Sequence, residues 1–263
     1  MITETDGLAS SPVMFLFLDV SSLPRHRRMY EDDLGLTVIE NQFHPPHEHH
    51  GLVKYDVGTT ILAVNLFAER KFRGGSADGV TVVFRTARPE IAERFGGYDR
   101  TYTDVDGHHY AFAEGAPADP ALACGIQELR FAVPELPAAT AFYGDVLGLR
   151  AEPAGERRCR FRTGSVDLLV YQSERAPDGR PIRHSACLTV FYAADVREAE
   201  RALRKRGLAF SSSSAFSDIG GTARFRDPSG HTFCLYQPSA ESLTWGSAGK
   251  VLDLMTGGGA GPR

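Results

Sequence analysis

The chain repeats itself. Tyr30-Glu31-Asp32-Asp33-Leu34-Gly35-Leu36 in the first half is echoed by Tyr143-Gly144-Asp145-Val146-Leu147-Gly148-Leu149 in the second. A second echo follows in the same order, Asp104-Val105-Asp106-Gly107-His108 and then Asp227-Pro228-Ser229-Gly230-His231. Two echoes in one order mean that one structural unit has been used more than once, and such a repeat constrains the fold more than any local propensity.

Around these anchors the pattern alternates between strand and helix. Met14 to Val20 is a short apolar run that predicts a strand, and Ser21 to Asp33 predicts an amphipathic helix closed near Gly35. Leu36 to Phe43, Leu52 to Val57 and Thr60 to Phe67 are β-branched or aromatic runs separated by turn residues. The first unit is therefore βαβββ. A second, less clear unit starts at Val80. A third starts at Glu128, with Leu136, Ala139, Phe142, Tyr143 and Leu147 at helical spacing. A fourth starts at Ala186, with a helix capped by Asp195 and ended by Gly207. The predicted boundaries are an N-terminal extension over 1–12, a first domain over 13–116, a linker over 117–123, a second domain over 124–238 and a C-terminal tail over 239–263 that frays.

With 263 residues and a net charge of −4, the chain shows no basic footprint for nucleic acid. No apolar run approaches the roughly 20 residues of a membrane span. Met1 to Asp6 lack the basic start and apolar core of a secretory signal, so none is expected. Cys124, Cys159, Cys187 and Cys234 contain no CxxC spacing and read as reduced thiols of a cytoplasmic protein.

Four βαβββ units in two pairs, with the Phe142-to-Leu149 element and the Asp227-to-His231 turn, resemble the vicinal oxygen chelate (VOC) superfamily. That superfamily includes glyoxalase I, extradiol dioxygenases and bleomycin-resistance proteins. The resemblance covers about residues 13–238. It implies an α+β fold of four modules forming two tandem half-open barrels, and a small-molecule ligand or substrate bound by a monomer or homodimer.

The resemblance also implies where a divalent metal is held when one is used: by His, Gln or Glu on the first and last strands of the units. Counting from the anchors places those positions at Phe15, Asn65, Thr81 and Ala111 in the first half. In the second half they fall at Glu128, Tyr171, Leu188 and Cys234. Hard divalent ions take nitrogen and oxygen donors, and apart from Glu128 none of these positions holds the His, Gln or Glu that the superfamily uses. No cofactor is therefore expected. A Glu128, His184 and Cys234 set is the alternative metal reading, and Phe15, Asn65, Thr81, Tyr171, Leu188 and Cys234 are candidate substrate contacts. Glu128 is a candidate general base or anchor, or else the partner of Arg160 or Arg162. His44-Pro45-Pro46-His47-Glu48-His49-His50 reads as a loop between strands, with His47 and His50 as candidate acid–base groups. His108, His109 and His231 adjoin the Asp-x-x-Gly turns and read as structural.

Two functions fit. One is an enzyme acting on a small oxygenated, possibly aromatic metabolite by acid–base isomerase, lyase or cyclase chemistry without the usual metal. The other is a metal-free antibiotic- or natural-product-binding protein of the bleomycin-resistance type. An extradiol-type dioxygenase with a relocated metal is a further alternative.

Overall fold

The Leu-Gly-Leu echoes are helix terminators. In the computed structural model, which describes residues 7–42, 50–67, 77–98, 100–183 and 186–257, helix α1 (Leu23–Arg27) runs into a π-helical turn over Arg28–Asp33. Helix α3 (Leu136–Ala141) does the same over Phe142–Val146. Each has proline in its first turn, where the missing N–H costs no hydrogen bond. The two ends close alike. Leu36 N donates to Tyr30 O at 2.9 Å and Leu149 N to Tyr143 O at 3.0 Å. Gly35 (φ 66°) and Gly148 (φ 74°) take the left-handed conformation that turns the chain back to the sheet.

Unit one comprises β1 (Val13–Val20), α1, β2 (Thr37–Asn41), β3 (His50–Asp56) and β4 (Ile61–Phe67). After the two-residue β5 (Ala77–Asp78), unit two comprises β6 (Val80–Thr86), α2 (Pro89–Arg94), β7 (Thr101–Thr103) and β8 (His109–Glu114). Unit two is thus one strand short of the expected βαβββ, because few residues separate α2 from β7. Unit three comprises β9 (Gly125–Val133), α3, β10 (Arg150–Pro153), β11 (Arg158–Arg162) and β12 (Asp167–Gln172). After β13 (Ile182–Arg183), which pairs in parallel with β5, unit four comprises β14 (Cys187–Tyr192), α4 (Val196–Lys205), β15 (Phe210–Ser217), β16 (Gly220–Arg226) and β17 (Thr232–Pro238). Strand β15 lies where a Ser-rich run gave no strand signal. It is a largely exposed edge strand, so its side chains face water rather than a core.

The large sheets are assembled across the halves. The first has the order β15-β16-β17-β14-β1-β4-β3-β2 and joins unit one to unit four. The second has the order β10-β11-β12-β9-β6-β8-β7 and joins unit two to unit three. The seams are the antiparallel pairs β1–β14 and β6–β9. One face of each sheet packs on the helices in a shared core that includes Leu16, Leu18, Val82, Phe84, Leu129, Phe131, Phe191 and Phe233. The other face of each is concave.

The second echo explains how units dock. Asp104 Oδ1 accepts the backbone N–H groups of Asp106 and His108, and Asp227 Oδ1 those of Ser229 and His231. The histidines then reach the first strand of the preceding unit. His108 Nε2 meets Asp19 O at 2.8 Å and His231 Nε2 meets Ala132 O at 2.8 Å. The anchor tyrosines complete the lock. Tyr143 OH donates to Asp227 Oδ2 at 2.9 Å, while Tyr30 OH bonds Tyr110 OH, which donates to Asp104 Oδ2 at 3.1 Å. The two repeated motifs bind each other, which is why they recur together.

These buried charges set a pH dependence. Burial opposes protonation of His108, but Asp104 and Asp78 outweigh it and raise its pKa. Burial likewise opposes ionisation of Asp104, and His108 and His26 outweigh it and lower its pKa. The His108 contribution is therefore complete below the unfolded value near 6.5 and is lost as pH rises through the raised folded value. The Asp104 contribution is present above about 3.8 and is lost as pH falls. His108→Gln is expected to lose about 1–3 kcal/mol near pH 6, through a buried polar network left partly unpaired. Denaturant titrations of both proteins at several pH values should show the gap narrowing as pH rises; a gap that widens contradicts the sign.

Candidate functional site

The concave face of the first sheet is filled by the chain's own C-terminus. The tail from Ser239, expected to fray, instead forms a 3-10 turn (Ser242–Thr244) and helix α5 (Ala248–Thr256). Val251, Leu254, Leu243 and Met255 pack against Met14, Phe15, Ile61, Leu188, Val190, Cys234 and Tyr236. An apolar stripe on the tail and a matching apolar sheet face supply the reason. A buried ion pair adds to it. Lys54 Nζ lies 2.9 Å from both oxygens of Glu40, and Ser247 donates to Glu40 Oε2 from its N–H at 3.0 Å and its hydroxyl at 2.6 Å. Lys54 also sits over the rings of Phe15 and Trp245 at 5.5 and 5.6 Å. Phe15, Leu188 and Cys234 therefore share one face, with half-buried Asn65 on β4, and that face lies beneath α5.

The concave face of the second sheet is polar. Ile126 and Leu129 of β9 point to the core. A register shift between them leaves Gln127 and Glu128 together on the concave side. Glu128 is 8% exposed, and both its oxygens are held: Arg130 Nε donates to Oε1 at 2.8 Å, and Arg160 Nη2 and Nε to Oε2 at 3.1 and 3.2 Å. Arg130 faces Thr81 on one neighbouring strand and Leu169 on the other. Burial raises the Tyr171 phenol, with Arg130 and the Thr81 hydroxyl pulling the other way. One strand beyond Thr81 lies His109, fully buried, its Nδ1 2.7 Å from the Thr103 hydroxyl. Burial lowers its pKa, so its ring is neutral near pH 7. Its Nε2 is buried without a hydrogen-bond partner among the described residues, as are Gln127 Oε1 and Arg85 Nε. Buried polar atoms in native proteins are nearly always paired, so such orphans mark a place built for something else.

Several expectations are regrouped. Phe15 and Asn65 do not share a lining with Thr81, nor Glu128 and Tyr171 with Leu188 and Cys234, because the sheets pair unit one with four and two with three. The Glu128, His184 and Cys234 set is divided in the same way: Glu128 is on the second sheet and Cys234 on the first, while His184 lies outside the described residues. His47 also lies outside them, and of His50 only the backbone, in β3, is described. Glu128 has the Arg160 partner that was one of its two readings, with Arg130 in place of Arg162. Arg162 instead pairs with Glu152 and Asp167.

His109, read from the sequence as structural, stands on this face because of the alternation along β8: Tyr110 and Phe112 enter the core, so His109 and Ala111 face the other way. Gln127 depends on a bulge and had no sequence signal.

Among the described residues, the counted ligand positions on neither concave face make a donor set that fits a divalent metal. On the first, Phe15, Leu188 and Cys234 lie under α5, and burial pushes the Cys234 thiol up to about 11. On the second, Thr81, Ala111 and Tyr171 accompany a carboxylate already held by two arginines. No three His, Cys, Asp or Glu side chains form a metal-holding group among the described residues. A separate cleft of about 340 Å³, lined in part by Arg25, Arg28, Phe95 and Tyr102, lies on the helical side and at neither face.

Residues 125–235 match the family described as the Glyoxalase/Bleomycin resistance protein/Dioxygenase superfamily. A putative dioxygenase from Bacillus subtilis subsp. subtilis str. 168 superposes with a TM-score of 0.68 at 12% identity, covering 95% of this chain and 97% of its own. Glyoxalase I from Zea mays superposes with a TM-score of 0.61 at 13% identity, covering 87% and 92%. At such identity the likeness concerns the fold. No curated protein sequence matches the chain. The match to this superfamily lies in the second half of the chain, and the first half repeats the architecture of the second. Among the described residues no helix is long and apolar enough to cross a membrane.

Proposed function

We propose that this chain acts on a small oxygenated metabolite at the concave face of the second sheet, by proton transfer that does not use the superfamily's customary metal. One observation carries the reading: a nearly buried carboxylate, Glu128, shares that face with a neutral, fully buried imidazole whose Nε2 has no partner. A carboxylate and an imidazole on one face can remove a proton from a carbon beside a carbonyl and return it at a neighbouring atom. Tyr171 and Thr81, between them, orient the oxygens. The first sheet's concave face, covered by α5, serves as structure.

The engagement of both Glu128 oxygens by arginine favours a second reading, a binding protein that holds its ligand without turnover. Proton NMR in D₂O separates the two. Incubation with a panel of 2-oxo and 2-hydroxy acids should show exchange of a carbon-bound proton, slowed about 10²–10⁴-fold in Glu128→Gln. Saturable binding with no exchange for any member establishes the binding reading instead.

A further inference from the structure

The charges around Glu128 identify what kind of molecule fits, given that the concave face of the second sheet is the ligand site. We infer that the ligand carries an oxyanion, a carboxylate or a phosphate, and that Arg130 and Arg160 receive it. Two guanidinium groups share one carboxylate, so this cluster holds one positive charge in excess. Arg130 gives Glu128 only its Nε, at 2.8 Å, and its two terminal nitrogens make no hydrogen bond among the described residues. Both arginines are 38% exposed whereas Glu128 is 8% exposed, so the carboxylate lies behind and the guanidinium groups present themselves to the concavity.

The surroundings favour the same ligand. The next cross-strand row, Arg162 between Glu152 and Asp167, carries an excess negative charge. Arg158 by alternation along β11, and half-buried Arg85 on β6, return the face as a whole to positive. Arg158 is engaged only at the Ala154 carbonyl, at 2.5 Å. Beside the Arg130 row stands His109 Nε2, fully buried and unpartnered, positioned for the neutral oxygen of a ligand whose anion lies on the arginines. Planar guanidinium groups bind carboxylate and phosphate by paired N–H donors, a geometry lysine does not reproduce. Glu128 is in this respect a positioning residue that aligns both arginines, and it opposes the anion by its own charge.

Isothermal titration with oxalate and with inorganic phosphate, at constant ionic strength, tests this. At least one should bind in the millimolar range or tighter, and whichever binds better identifies the anion type. Arg160→Met should weaken binding by about tenfold or more, and Arg160→Lys should recover only part of it. Glu128→Gln, which removes the opposing charge, should tighten binding by about threefold or more, a sign that a merely structural loss does not produce. Arg197→Met, at a helix-surface contact with Phe216, should leave it unchanged. Absence of binding by both anions, or equal effects of Arg160→Met and Arg197→Met, overturns the inference, with Arg160→Lys taking the place of Arg160→Met if the latter melts early. Anion binding without Glu128-dependent exchange leaves this inference standing and sinks the proton-transfer reading; exchange without anion binding does the reverse.

Discussion

Ending the chain at Pro238 is expected to destabilise it by about 5 kcal/mol or more and to create binding of an apolar fluorescent dye. The magnitude follows from what α5 covers. Val251 and Leu254 are nearly fully buried, and each such side chain contributes roughly 1.5–3 kcal/mol when removed from water. Their removal also exposes Met14, Phe15, Ile61 and Val190 on the sheet. It further takes Ser247 away from Glu40, and Lys250 away from Asp56, which it meets at 2.8 Å. A concave apolar face of this kind, once uncovered, is the sort of patch that soluble monomers rarely present. Chemical denaturation of the full and shortened chains measures the loss directly. An unchanged midpoint and no dye binding would show that the tail rests on the sheet without contributing to it.

Lys54→Met should cost about 3–5 kcal/mol, because it leaves Glu40 buried without its cation. Burial lowers the Lys54 pKa against the pull of Glu40, whereas at Glu40 the Ser247 and Lys54 bonds outweigh burial and lower its pKa. Adding Glu40→Gln to Lys54→Met removes the stranded charge while keeping an acceptor for Ser247, so the double variant should recover more than half of the loss. Comparison of the single and double variants by denaturation decides between an unpaired charge and lost packing. A double variant no more stable than Lys54→Met would assign the effect to the contacts of the Lys54 stem with Phe15 and Trp245.

The architecture was legible wherever the signal was local. The Leu-Gly-Leu turns close on backbone bonds within a few residues, and the Asp-x-x-Gly-His turns on bonds within four. Each therefore has a sequence signature, but counting from them grouped Phe15 with Thr81 and Glu128 with Leu188 and Cys234, whereas the sheets put Phe15, Leu188 and Cys234 on one face and Thr81, Glu128 and Tyr171 on another. Where the signal was not local, the reading stopped. The serines of β15 form an edge strand only because β16 offers them a partner. The amphipathic stripe of α5 finds its use only against a sheet face made by distant residues.

The sequence by itself determined that one unit recurs, where its helices end, and which side chains of a single strand point the same way, because periodicity and turn chemistry act over a few residues. Tertiary structure alone decided that unit one joins unit four and unit two joins unit three, that the tail occupies the first concave face, and that Glu128 meets Arg130 and Arg160 on the second, the face that His109 shares. Those choices rest on strand pairs between residues far apart in the chain, β1 with β14 and β6 with β9. A repeated unit offers the same edge several times over, so only the packing of the whole selects among its partners.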